Sequence, residues 1–162
     1  MMPTIEELLS LDLLTLREHT ERAGDQIDPT AHAAQLRESL NFSRTCTVRR
    51  SGVLVAYAML NQVDGTSWFV RGFNTHPEHR NASVVRELLQ KVSEVAQHEG
   101  IAELRSNVYK TNSLSMAFHR RLGFQITREN EKGVEFFATI NELTSNPSIG
   151  RAIVDKISTA KP

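Results

Sequence analysis

Hydrophobic positions keep helical spacing at the start of the chain, alternate in the middle, and return to helical spacing twice more. Over residues 4–22, Ile5, Leu9, Leu13 and Leu16 recur at steps of three and four, which predicts a helix. Thr4 stands where a cap belongs and Glu7 follows three residues later, the capping-box spacing. AGDQIDP (23–29) combines Gly, Asp and Pro and reads as a loop. A second, shorter helix is expected over 30–40, with Ala33, Leu36 and Leu40 on its apolar side.

From Arg44 the period changes to two. RTCTVRR places Cys46 and Val48 on one face, Ser51-Gly52 is a turn signal, and VLVAYAML (53–60) is a run apolar enough for a strand buried on both faces. Asp64-Gly65 marks the next turn, and SWFVRGFNT (67–75) forms a third strand ending at His76-Pro77. Residues 80–99 carry the clearest helical pattern, with Val84, Leu88, Val92, Val95 and Ala96 on one stripe and Gly100 as its stop. IAELRSNVY is a strand. Residues 112–122 are a helix capped by Asn112 and ended by Gly123. FQITREN and VEFFATI form a terminal hairpin around Glu131-Lys132-Gly133. The order is two helices, three meandering strands, helix, strand, helix, two strands. It predicts an α/β (α+β) fold: a mostly antiparallel sheet with one parallel crossover, flanked by helices.

The 162 residues suit one domain, expected over 1–143. Residues 144–162 read as a C-terminal tail or a short docking helix with an apolar stripe at Ile149, Ala152, Ile153 and Ile157. Lys plus Arg and Asp plus Glu are both 19, so the formal net charge is zero, which gives no support for sequence-independent nucleic-acid binding. The longest apolar run is far too short to span a bilayer. The acidic start of the chain lacks the pattern of a signal peptide, and the single cysteine, Cys46, forms no intrachain disulfide. A cytoplasmic protein without a membrane or nucleic-acid partner is expected. His76 and His79 lack helical metal spacing, so no metal is assigned.

The stretch HRNASVVRELL joins the third strand to the clearest helix. Such a turn exposes unpaired backbone N–H groups at the positive end of a helix dipole, and so favours an anion. It resembles the first signature of the GCN5-related N-acetyltransferases (GNAT): an Arg or Gln, two variable residues, Gly, one variable, then Gly or Ala. Here the register is filled by Arg80, Asn81, Ala82, Ser83, Val84 and Val85. The family's second signature is an Asn, a small residue three later, a Tyr four after that, then Gly-Phe. NSLSMAFHRRLGF is similar, with Asn112, Ser115, His119 in the tyrosine position, and Gly123-Phe124. Both motifs depart from the family pattern. Ser83 and Val85 replace small or absent side chains, and Val85 either narrows the approach to a diphosphate or faces the core. The bland alternative for the turn is an ordinary capped helix start.

The resemblance implies a GNAT-type fold with acyl-CoA lying where two parallel strands splay apart. Backbone groups of Phe73, Asn74 and Thr75 would pair with the pantetheine arm. Arg80 to Val85, with Asn112 and Ser115, would complete the cofactor site. A primary amine would attack the thioester directly, with acetyl the default acyl group. His119 would protonate the departing thiolate, the alternative being an exposed helical histidine whose pKa Arg120 and Arg121 depress. Tyr109 is a second donor candidate, and Glu103 on the same strand a base acting through water or simply an exposed carboxylate. A charged His79 would help hold a phosphate. Trp68, Phe69 and Phe73 line a pocket or fill the core, and Cys46 reads as an inert thiol. The first two helices would set the amine, a small molecule or peptide, with Glu18, Glu21, Asp25 and Asp28 either attracting a cation or forming a solvated face. Two rivals remain open here. One is an acyl carrier protein as donor, met by Arg80, Arg86, Arg120 and Arg121. The other is a silent binding module, with a homodimer as one use of the apolar tail.

Overall fold

The computed structural model describes residues 1–147; the tail stripe from Ile149 onward lies outside the described residues. Two helices come first, α1 (Ile5–Arg22) and α2 (Pro29–Phe42), then strands β1 (Arg44–Arg50), β2 (Val53–Asp64) and β3 (Ser67–Thr75). A single 3-10 turn (Pro77–His79) leads into α3 (Ala82–Glu99), followed by β4 (Glu103–Tyr109), α4 (Ser113–Leu122), β5 (Gln125–Glu129), β6 (Gly133–Thr139) and α5 (Ile140–Ser145). The six strands form one sheet in the order β1-β2-β3-β4-β6-β5. Among the described residues only β3 and β4 run parallel; the other four pairings are antiparallel.

The caps behave as the sequence leads one to expect. Thr4 accepts from the Glu7 amide while the Glu7 carboxylate accepts from the Thr4 amide, a complete capping box. Gly100 and Gly123 end α3 and α4 in the left-handed conformation that favours glycine, at φ 67° and 102°. Glu7 also receives a fork of two bonds from Arg49, at 2.6 and 3.0 Å, which ties α1 to β1. Hydrogen bonding from Arg49 draws the Glu7 carboxyl down to about 2.

Strand β2 is buried from Leu54 to Leu60 because the sheet is covered on both sides. Tyr57 and Met59 pack with Leu8, Leu11 and Leu36 of α1 and α2. Val55, Ala56 and Ala58 pack with Val84 and Leu88 of α3. A bulge opposite Val48/Arg49 shifts the register there, so Val55 and Ala56 turn to the same side. A third cluster joins Trp68, Leu104, Leu122, Phe124 and Phe136.

Several boundaries differ from expectation: α2 runs on to Phe42 and β4 starts at Glu103, not Ile101. β2 continues to Asp64, held by β3 as far as Ser67. α3 starts at Ala82, since the 3-10 turn takes up 77–79. Ile140, which the apolar run places in the last strand, instead opens α5, where Thr139 accepts from the Glu142 amide and caps the turn. The stripe of α1 is also offset: its buried residues are Leu8, Leu11, Asp12 and Thr20. Leucines at 8, 9, 11, 13, 14 and 16 surround that helix, so periodicity alone does not single out a face.

Candidate active site

β3 and β4 pair only from Ser67↔Glu103 to Val70↔Ser106. Beyond that point they diverge, because each strand is held by its outer neighbour and the partner between them is missing. β3 stays on β2 through Ala56↔Thr75, and β4 stays on β6 through Tyr109↔Gly133. The register slips between Met59↔Gly72 and Leu60↔Val70, so Arg71 is the extra residue of a bulge. A bulge bends and twists its strand, and this one lies where β3 leaves β4. The gap opens into a cleft of about 810 Å³.

The His76 amide donates to Val55 of β2, so strand alternation turns the backbone of Asn74 to β2 as well. The N–H and C=O of Phe73 and the N–H of Thr75 then face the open edge. Phe73 and Thr75 thus present free main-chain groups, while Asn74 reaches the site through its side chain. At the end of β3, Arg80 folds back, its Nε donating to Thr75 Oγ1 at 2.9 Å and its Nη2 to the Thr75 carbonyl at 3.0 Å. Partial burial lowers its pKa, but a guanidinium remains charged at any working pH. Asn81 caps α3 by accepting from the Val84 amide, and the amides of Ala82 and Ser83 have no protein partner among the described residues. The turn is therefore a helix N-terminus with open donors beside an arginine.

The side chains of the first motif divide. Val84 is fully buried under the sheet. Val85 lines the cleft and is not among the buried core residues. Ser83 Oγ accepts from Arg50 of β1 at 3.2 Å, so its hydroxyl serves β1 and not the cleft. In the second motif, Asn112 caps α4 by accepting from the Ser115 amide, and both residues line the cleft.

His119 departs from the exposed position weighed for it. It is 7% exposed and stacks on Phe136 with ring centroids 4.7 Å apart. Its Nδ1 lies 2.8 Å from the Ser115 carbonyl, which can only accept, so Nδ1 carries the hydrogen. Nε2 lies 3.1 Å from Ser106 Oγ and accepts from it. Burial holds the imidazole pKa below its ordinary value, a different cause from repulsion by Arg120 and Arg121. A neutral ring with both nitrogens engaged is a poor proton donor.

Tyr109 lines the cleft at the end of β4, and its hydroxyl donates to Asp25 in the α1–α2 loop at 2.8 Å. That bond, with partial burial, raises the phenol pKa and keeps the group protonated. Lys132 also donates to Asp25, at 2.6 Å, so this carboxylate is not free to attract a cation. Asp28 is likewise committed, as the cap of α2, while Glu18 and Glu21 are exposed. Glu103 lies at the closed end of the gap opposite Ser67. Trp68 is in the core, and His76 and His79 meet edge to face, ring centroids 5.1 Å apart, outside the cleft lining. Cys46 is buried, and burial pushes its thiol up to about 11. Of the four arginines, Arg80, Arg86 and Arg121 line the cleft.

The opposite wall holds residues that the sequence reading missed. Asp12 of α1 is 2% exposed, yet its carboxylate borders the cleft. One oxygen accepts from the Tyr57 hydroxyl and from Asn74 Nδ2 at 2.7 Å; the other lies 2.7 Å from His32 Nε2. Burial first, then the Asp12 charge, raises the Tyr57 pKa well above its ordinary value. Gly72 faces the same group, since a Cβ there would stand 3.1 Å from the Tyr57 hydroxyl. The signal in the sequence is an aspartate inside LSLDLLTL, a charged residue in a stretch otherwise set for burial.

The sequence model of the acetyltransferase (GNAT) family matches residues 7–124. The chain belongs to that family of acetyltransferases. An aminoglycoside N(6')-acetyltransferase type 1 from Acinetobacter genomosp. 13 is 28% identical over 144 residues, covering 83% of this chain and 94% of that protein. Among solved structures, the PaiA N-acetyltransferase of Thermoplasma acidophilum in complex with coenzyme A superposes with a TM-score of 0.67 at 15% identity, over 83% of this chain and 92% of that one. An aminoglycoside 6'-N-acetyltransferase complexed with coenzyme A gives 0.67 at 14% identity, over 84% and 90%. The α/β fold read from the sequence, with its mostly antiparallel sheet, is that of these enzymes. Among the described residues no helix is long and apolar enough to cross a membrane.

Proposed function

We infer that this protein transfers the acetyl group of acetyl-CoA to a primary amine of a small molecule. The observation that carries the reading is the gap between β3 and β4, edged by free main-chain groups and bordered at its splayed end by the open amides of α3 and by Arg80. Pantetheine would pair with Phe73 and Thr75 along the strand edge, as an added strand pairs in a sheet. The diphosphate would lie against the amides of Ala82 and Ser83, with Arg80 turning from Thr75 to meet it. Val85 leaves less room there than glycine, and the main chain still supplies the donors. Asn112, Ser115 and Phe118 would border the thioester on the α4 side. Related enzymes bind CoA and act on aminoglycosides by name, which supports a small-molecule amine. The same donor fits a cytoplasmic setting.

Rate acceleration would come mainly from holding amine and thioester together in a cleft with aligned donors. Tyr109 is the better of the two acid candidates, since it is protonated, faces the cleft and gives up only a hydrogen bond to Asp25. Calorimetric titration of the purified protein with acetyl-CoA and free CoA tests the donor. Micromolar binding, weakened by Arg80→Ala, is the expected result. No binding of either would overturn the acetyl-CoA reading and leave acyl carrier protein as the donor to try.

A further inference from the structure

We propose that His32, held by Asp12, is the general base that takes the proton from the acceptor ammonium. The proposal rests on the N-acetyltransferase reading above and adds to it the residue that prepares the nucleophile.

An amine is protonated near neutral pH and cannot attack a carbonyl until it loses that proton. The cleft therefore needs a base on the side from which the amine comes. Tyr109 is kept protonated, His119 has both nitrogens engaged, and Asp25 is held by Lys132 and Tyr109. Glu103 lies at the closed end of the gap.

His32 has the geometry these groups lack. Asp12 accepts from Tyr57, whose hydroxyl stays protonated, and from the Asn74 amide, which can only donate from its nitrogen. A carboxylate fixed this way is an acceptor toward His32 as well, so the hydrogen sits on His32 Nε2. The neutral ring then carries its lone pair on Nδ1. That atom makes no hydrogen bond among the described residues, and the side chain is 23% exposed on the cleft wall, against 3% for Asp12. A buried carboxylate that fixes the tautomer and orientation of a partly exposed imidazole is the orienting half of an acid–base dyad. The charged and titratable groups along the same wall are Asp12, His19, Tyr57 and Arg71.

The dyad is also placed by the donor strand. Asn74, which bonds Asp12, lies between Phe73 and Thr75, the residues whose main chain faces the open edge. Asp12 is thus one side chain away from the track assigned to pantetheine. Gly72 keeps that approach clear, because a methyl group there would press on Tyr57.

The step balances as follows. His32 Nδ1 takes one proton from the ammonium, and the resulting imidazolium is paired with Asp12. The freed lone pair forms the C–N bond, and the C–S bond breaks with its electrons going to sulfur. The thiolate takes its proton from Tyr109, which recovers one from the second N–H lost by the nitrogen. His32 returns the first proton to water.

The test uses the full-length protein, acetyl-CoA, and three probe amines: kanamycin, putrescine and a glycyl dipeptide. His32→Gln keeps a neutral polar group at a half-exposed position. It is expected to lower kcat/KM about 100-fold for whichever amine is turned over, with acetyl-CoA affinity within twofold of wild type. Added imidazole should restore part of the rate, and the acidic limb of the pH–rate profile should flatten. Asp12→Asn, a positioning change, should lower kcat more than it raises KM. His32→Gln with turnover within twofold of wild type and an unchanged acidic limb would overturn the base assignment alone. Wild-type protein that binds acetyl-CoA and acetylates none of the three amines would overturn the small-molecule acceptor reading, and this assignment with it.

Discussion

The two walls of the cleft are built on different principles. The wall proposed for the acyl donor is one continuous stretch, Phe73 to Val85, and what it offers is mainly main-chain groups. Strand edge, turn and helix N-terminus follow one another in sequence, and the side chains of Ser83 and Val84 point elsewhere. The wall proposed for the acceptor has no continuous stretch. Asp12, His32, Tyr57 and Asn74 come from α1, α2, β2 and β3, and only their side chains meet. A main-chain site tolerates substitution, so this turn can offer its amides with Ser83 and Val85 where the family pattern has small residues. A side-chain site fails when one member changes, because the others are buried around it.

That contrast predicts a graded series. Asp12→Ala strands the Tyr57 hydroxyl and the Asn74 amide in a buried setting, and should cost about 3 kcal/mol of stability, seen as a lowered denaturation midpoint. If the loss is under about 1 kcal/mol, the wall is wetter than described and the contrast weakens. On the donor wall, Arg80→Ala should weaken acetyl-CoA about tenfold by calorimetry, the size of one charge-assisted hydrogen bond, without lowering the melting temperature.

Tyr109 stands between the walls. Tyr109→Phe should lower kcat about tenfold with little change in acceptor KM. Because Asp25 raises the phenol pKa, the protonated form persists above the ordinary value of about 10. Asp25→Asn should therefore move the alkaline limb of kcat to lower pH. The matching stability contribution is present below about pH 10 and is lost as pH rises through the raised value.

His119 gives a smaller effect of opposite sign. Its lowered pKa means that the unfolded chain binds the proton more readily. The folded state is thus favoured above about pH 6.5 and loses that advantage as pH falls through the lowered value. His119→Gln should flatten the pH dependence of the denaturation midpoint below about pH 6.5. The smallest effects belong to the turn itself. Ser83→Gly should leave acetyl-CoA affinity within about twofold, since its hydroxyl faces Arg50, and Val85→Ala should tighten it by no more than about threefold.

Much of this is legible in the sequence. Apolar spacing places β3 and the bodies of α3 and β2, short of β2's end at Asp64, and the caps at Thr4, Asn112, Gly100 and Gly123 mark ends that hold in the structure. These features are local: a cap bonds within four residues, and a stripe is a property of one helix. The turn from Arg80 to Val85 was legible for the same reason. What escaped was where side chains point when the sequence offers equal choices. Val85 had two possible sides, His119 an exposed or an engaged position, and α1 a ring of leucines that hid its buried face.

The sequence by itself determined the elements, their order and the turn that presents main-chain donors, because each depends on neighbours a few residues apart. Only the tertiary structure decided that β3 and β4 part after Val70 and Ser106, since that depends on each strand's outer partner. It alone decided that Asp12 meets His32, Tyr57 and Asn74, residues 20, 45 and 62 positions away. No local rule links positions so far apart; packing two helices on one face of a sheet brings them together, and burial then obliges them to satisfy one another.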